Sequence, residues 1–365
     1  MMMRRFRHVE RDRLRRVVRG YVIGRERFNE IDPKYVMNDG IRLAYYVEDV
    51  LKKEITRPPV LLLNGWAGIA SDWGGLRRLL ARKRCVITMD NRGVGCSDAP
   101  EDVENYSINK MAQDATAVLR EIRCSELFQS NGYEKIDVVG FSMGGLIAQS
   151  LAISETQKYI RKLALASTTP GGPETTGLFS EDFFHLLDDY NNDSPANNRR
   201  HAAAFFVHGL PHFWVTNNVK QLQRAVNTFI SAKRPHHGIL GQKHALTHFN
   251  ISKKKLTQIQ LPTLILHGDS DPVLHPQCAS LLLHHIPTAS ILLFAGTGHH
   301  AYIQEPLEWI NAITSFLDND VNDVNDEEGD GVAVGGGGGK FLRRHRSLLH
   351  FDQPPREDNS CTDET

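Results

Sequence analysis

The chain lacks any surplus of charge, any cysteine pair and any long apolar run. Its 43 basic and 43 acidic residues cancel, so charge gives no reason to expect a nucleic-acid partner or an acidic substrate. The five cysteines, at 85, 96, 124, 278 and 361, form no C-x-x-C pair and no metal spacing, which argues against a zinc ribbon or a disulfide framework. An odd cysteine count without a secretory h-region leads to the expectation of reduced thiols in an intracellular, cytoplasmic protein. The apolar runs Val60–Leu63 and Leu261–Leu266 fall far short of the roughly 20 residues a membrane-spanning helix needs. The 17 histidines are scattered or are direct neighbours such as His236-His237 and His284-His285, and sequence neighbours do not share a helix face. No metal and no cofactor is expected.

What is present is ample apolar material, 41% of 365 residues, enough for a large core. The pattern alternates. Lys34–Asn38 and Arg42–Glu48 read as strands joined by Asp39-Gly40, a hairpin signal. Val60–Leu63, Cys85–Met89, Ile136–Val139, Lys162–Ala166, Thr263–His267 and Ser290–Phe294 read as further strands. Helices are predicted near Ser71, over Ile108–Ile122, from Met143 into Leu151, over Gln277–His285 and over Leu307–Leu317. The alternation stops once. From Glu174 to about Ile259 the chain reads as helices only: Glu181–Tyr190, Arg199–Val207, Val219–Ser231 and Gln242–Phe249. Strand–helix alternation predicts an α/β fold with a mostly parallel sheet covered on both faces. The interruption predicts a helical cap over the sheet's carboxyl edge, where open α/β sheets place their ligands.

Both ends differ in composition. Residues 1–27 are Arg-rich, with Arg4, Arg5, Arg7, Arg11 and Arg13 among apolar residues. They read as a solvated basic arm, with a mitochondrial transit peptide as the alternative. Residues 318–365 are acidic, then Gly-rich, then polar, a composition expected to stay disordered. Within them Phe341–Phe351 is a small basic-apolar island able to make weak membrane-surface contact.

The residues that suggest chemistry begin with Val138-Val139-Gly140-Phe141-Ser142-Met143-Gly144-Gly145. This is an apolar strand, a tight turn tipped by one serine, and a helix start whose free N–H groups favour negative charge. The pattern is G-x-S-x-G. Four more segments accompany it in order. Asn64-Gly65-Trp66 follows the third strand, and Asp90-Asn91-Arg92-Gly93-Val94-Gly95-Cys96-Ser97 follows the fourth. His267-Gly268-Asp269-Ser270-Asp271 ends a later strand, and Gly296-Thr297-Gly298-His299-His300 precedes Glu305-Pro306. Together, over about residues 28–317, these segments resemble the α/β-hydrolase family in its serine-nucleophile esterase and lipase branch.

The resemblance implies a mostly parallel, eight-stranded-type sheet with an inserted cap at about 174–259, and a catalytic triad. Ser142 would be the nucleophile, Asp271 the acid with Asp269 as runner-up, and His299 the base with His300 as its competitor one residue away. The backbone N–H groups of Met143 and Trp66 would form the oxyanion hole. Asn64 stands where the family usually has His. The Asp90–Ser97 loop would be a structural turn. The expected activity is cleavage of a carboxylic ester or related acyl bond in a small-molecule or lipid-like substrate, with Phe183, Phe184, Phe205, Phe206, Phe213 and Trp214 as candidate cap walls. C–C hydrolysis, lactone opening, acyl transfer and cofactor-free perhydrolysis use the same triad, and a non-enzymatic receptor is the remaining alternative. Dehalogenase and epoxide-hydrolase branches carry an elbow aspartate, which Ser142 argues against.

Overall fold

The computed structural model describes residues 31–48, 57–190, 194–319 and 340–342. The basic arm at 1–27 lies outside the described residues, as does the tail beyond 319 apart from 340–342. Among the described residues nine strands form one sheet: β1 (Lys34–Asn38), β2 (Ile41–Glu48), β3 (Val60–Leu63), β4 (Val86–Met89), β5 (Ile136–Phe141), β6 (Ile160–Ala166), β7 (Thr263–Gly268), β8 (Ala289–Phe294) and β9 (Lys340–Leu342). Their order is β1-β2-β4-β3-β5-β6-β7-β8-β9. The run from β4 to β8 is parallel, and β1, β2 and β9 are antiparallel to their neighbours. β1 and β2 are joined by Asp39 at φ 49 and Gly40 at φ 73, the two positive values a tight hairpin turn demands. The eight expected strands are β1–β8. The tail, expected to be disordered, differs at β9, where Lys340–Leu342 pairs with Leu293–Ile291 of β8.

The helices are α1 (Gly74–Leu80), α2 (Ile108–Cys124), α3 (Glu126–Ser130), α4 (Met143–Ala152), α5 (Glu181–His185), α6 (Pro195–His208), α7 (His212–Asn217), α8 (Val219–Ile230), α9 (His236–Thr247), α10 (Lys253–Leu256), α11 (Gln277–His285), α12 (Ala301–Gln304) and α13 (Pro306–Asp318). Three expected helices differ by four residues or more at one end: α6 starts at Pro195, ahead of the expected Arg199. The segment expected to be helical from Glu181 to Tyr190 stops at His185 and continues as turns. α9 starts at His236, well ahead of Gln242, because Pro235 at φ −56 fixes the chain's entry into the helix.

Period-two alternation sorts the central strands onto both faces. Leu61 and Leu63 of β3 join Val138 of β5 in one buried cluster with α2 and α4. Val60 and Leu62 join Val139 in a second cluster with α1 and α13. A third cluster belongs to the helices between β6 and β7, and it takes in Trp66 from the loop after β3 and Val273 and Leu274 from the loop after β7. The helical insertion therefore packs on the carboxyl ends of the central strands.

Candidate active site

Ser142 stands between β5 and α4 at φ 52, ψ −117, a conformation an L-residue holds only when its surroundings enforce it. Two glycines make that turn feasible. A Cβ on Gly140 would lie 2.3 Å from the Gly144 carbonyl oxygen, and one on Gly144 would lie 2.1 Å from that of Leu63. The elbow is thus pressed onto the end of β3 with no room for a methyl group. From the other side Thr168, just past β6, donates its hydroxyl to the Ser142 carbonyl at 2.8 Å.

His299 and Asp271 arrive from the loops after β8 and β7. His299 Nε2 lies 3.0 Å from Ser142 Oγ, and its Nδ1 lies 2.9 Å from Asp271 Oδ2. A carboxylate only accepts, so Nδ1 carries the hydrogen and the Nε2 lone pair faces the serine hydroxyl. Asp271 is held in turn. Its Oδ1 accepts the N–H groups of Val273 at 2.8 Å and Leu274 at 3.0 Å. His267 Nε2 sits 3.3 Å from Oδ2 and 2.9 Å from the Leu274 carbonyl. Burial alone would raise the Asp271 pKa. Attraction to His299 and the hydrogen bonds from His267 and His299 outweigh it and hold the carboxyl well below the usual range. The arrangement can take a proton from a hydroxyl and stabilise the imidazolium that results.

The two runners-up sit elsewhere. Asp269 Oδ1 accepts from Gly296 N–H at 2.7 Å and from the Ser270 hydroxyl at 2.9 Å, on the exposed side of the turn. His300 is buried among Phe141, Phe205, Phe206 and Tyr302. Neither of its ring nitrogens has a hydrogen-bond partner among the described residues. Burial first, and the neighbouring His299 second, push its pKa down to about 3.

The backbone N–H groups of Trp66 and Met143 enter no hydrogen bond among the described residues. The Gly65–Trp66 turn lies against the elbow: a Cβ on Gly65 would stand 3.1 Å from Ser142 Cβ. A cavity of about 390 Å³ opens on Ser142. Trp66, Met143, Leu146, Phe183, Val273 and Leu274 form its apolar wall, and exposed Thr176, Thr247, His248 and Asn250 lie at its rim. Among the described residues no Asp, Glu, Lys or Arg lines it. Of the aromatic residues expected to form the walls, Phe183 and Phe184 do so. Phe205 and Phe206 instead pack inside the insertion, Trp214 lies partly buried against that cluster, and Phe213 is 79% exposed. Helical periodicity alone did not separate these positions, because both faces of α6 carry apolar residues. Among the described residues no group of three or more His, Cys, Asp or Glu is placed to hold a metal ion, and no helix is long and apolar enough to cross a membrane.

Several residues around the site were not foreseen. His267 ends a strand already known to precede Asp271, and that position was its signal. Thr168 ends the strand beside the elbow. Arg234 and Gln242, which hold the Trp66 loop from the insertion, have no local signal, since their partners lie more than a hundred residues away.

A candidate carbamate hydrolase RutD of Caulobacter segnis is 25% identical to this chain over 280 residues, which cover 77% of it and 97% of the relative. A pimeloyl-[acyl-carrier protein] methyl ester esterase of Nitrosospira multiformis is 23% identical over 262 residues, covering 71% and 94%. Among solved structures, the enol-lactonase from Burkholderia xenovorans LB400 shares the fold with a TM-score of 0.63 at 19% identity, over 78% of this chain and all of its own. The model of the alpha/beta hydrolase fold matches residues 58–306, most of the chain. The chain belongs to the alpha/beta hydrolase fold family.

Proposed function

We propose that this protein is a serine hydrolase that cleaves a carboxylic ester, open-chain or cyclic, whose acyl part is uncharged and apolar. The observation that carries the reading is the unbroken line of hydrogen-bond distances Ser142–His299–Asp271, 3.0 and 2.9 Å, opening on an apolar cavity. In the proposed reaction Ser142 Oγ attacks the ester carbonyl while its proton passes to His299 Nε2. The carbonyl oxygen becomes an oxyanion facing the N–H groups of Met143 and Trp66. Collapse expels the alcohol, which takes the proton from His299, and leaves an acyl-serine. Water then repeats the sequence, releasing the acid and restoring the serine. Asp271 holds Nδ1–H throughout and stays ionised.

Relatives whose names describe hydrolysis of a methyl ester, an enol-lactone and a carbamate support acyl-bond chemistry. The preference for an uncharged, lipid-like acyl group is supported by the lining. A carboxylate drawn into a wall with no cation would lose its hydration without a partner, at a cost of several kcal/mol. The test is hydrolysis of p-nitrophenyl esters of graded chain length, beside esters of the same length ending in a carboxylate, with Ser142→Ala as control. Medium-chain neutral esters should turn over at least about tenfold faster in kcat/KM than acetate or the anionic esters. Equal rates across the set would refute the substrate preference. A wild type no faster than Ser142→Ala on every ester would refute the hydrolase reading and leave a ligand receptor.

A further inference from the structure

The loop that carries Trp66 is not held by the sheet alone. Ala67, next in the chain, has φ 57 although it is not glycine, so its conformation has to be enforced by neighbours. The helical insertion supplies them. Gln242 on α9 accepts the Ala67 N–H on Oε1 at 2.8 Å, and its Nε2 donates to the Arg92 carbonyl at 2.9 Å. Arg234 Nε, just ahead of α9, donates to the Ala67 carbonyl at 2.7 Å. The Trp66 indole N–H donates to the carbonyl of Ile239, one turn before Gln242, at 2.9 Å.

Gln242 is fully buried, and its amide orientation is fixed by its partners, since Ala67 N–H only donates and the Arg92 carbonyl only accepts. The far end of the strut is equally firm. The Arg92 guanidinium meets Asp114 of α2 in a buried bidentate pair at 2.6 and 2.7 Å and also reaches the Asn105 carbonyl at 2.6 Å.

We infer that Gln242 is a positioning residue for the oxyanion site: its amide bridges the Asp90–Ser97 loop and the Trp66 loop and so aims the Trp66 backbone N–H at the Ser142 carbonyl adduct. The inference rests on the proposed role of that N–H. It gives the Arg92 loop, which touches no part of the cavity, a role in the reaction. It also means that the insertion contributes to the geometry of the catalytic donors as well as to the cavity wall.

The test uses Gln242→Met, which keeps the length of the side chain and removes both hydrogen bonds, and Gln242→Leu as a second variant. Competent serines are counted with a fluorophosphonate probe, so rates are expressed per labelled Ser142. For a neutral ester kcat should fall about 10- to 100-fold, the scale of a misaimed oxyanion donor, while KM changes less than about threefold. Affinity for a trifluoromethyl ketone, which forms a tetrahedral oxyanion on Ser142, should fall in parallel with kcat/KM. Affinity for the unfluorinated ketone, which does not, should stay within about twofold. A merely structural role would lower the number of labelled sites and leave these ratios unchanged.

Either folded variant with kcat per serine and trifluoromethyl-ketone affinity near wild type overturns the inference. Failure of both to fold overturns it too, in favour of a strut needed only for folding. A wild type that neither labels nor hydrolyses refutes the hydrolase reading itself.

Discussion

Gly144→Ala sets two effects of opposite sign against each other at the second residue of α4. In an ordinary helix the change would stabilise by up to about 1 kcal/mol, because alanine is the better helix former. Here the new methyl group would stand 2.1 Å from the Leu63 carbonyl oxygen and 2.8 Å from that of Asn64. Both are backbone atoms and neither can rotate away. Restoring a carbon–oxygen contact of about 3.3 Å moves the start of α4 away from β3 by about 1.2 Å. Overpacking of that size costs about 1–3 kcal/mol, so the net loss of stability lies between roughly nothing and 3 kcal/mol. The rate is the sharper observable. Ser142 and the Met143 N–H ride on the displaced segment, whereas His299 and Trp66 do not, and a 1 Å misplacement costs about a hundredfold. Ester hydrolysis per folded molecule, with urea unfolding in parallel, measures both. Activity within threefold of wild type would refute the claim that the elbow is pressed against β3.

Four further substitutions test other parts of the molecule. Asp271→Asn should lower kcat about 10³- to 10⁴-fold, because an amide no longer demands Nδ1–H of His299; pre-steady-state kinetics would locate the loss in acylation. His300→Leu should flatten the acid side of the stability curve. The unfolded histidine binds a proton below about 6.5, while the folded one, pushed down to about 3, does not. Wild type should therefore lose up to about 1.4 kcal/mol per pH unit between pH 6 and 4.5. Asp271, whose folded pKa is lowered, loses its contribution only below about 4. Urea melts at several pH values separate these, and an unchanged slope in the variant would contradict the buried neutral ring. Phe184→Ala, on the cavity wall, should raise KM for medium-chain esters several-fold, whereas Phe213→Ala, at 79% exposure, should change neither KM nor melting temperature.

The parts of the molecule legible in the sequence were those set by local physics. Short continuous apolar runs such as Val60–Leu63 and the apolar stretch of Thr263–His267 mark buried parallel strands. The exposed setting of Ser142 could be read because a strand end, a Gly turn and a reactive side chain are neighbours in sequence; Asp271 and His299 came only from the family resemblance, and the local sequence left Asp269 and His300 open beside them. What could not be read depended on partners distant along the chain. Phe205 and Phe206 face Phe229 inside the insertion rather than the cavity, and nothing local distinguishes those destinations. Gln242 looks like any helix glutamine until Ala67 and Arg92 are placed at its two ends. Strand β9 has no sequence signal, because three residues beside a glycine run carry too little pattern.

Activation of Ser142 by His299 is measured by incubating the full chain with a fluorophosphonate, followed by peptide mass spectrometry. One adduct is expected, on Ser142, abolished in Ser142→Ala and slowed at least about a hundredfold in His299→Ala. An unlabelled Ser142 in folded wild type, or labelling that is as fast without the imidazole, would contradict that activation.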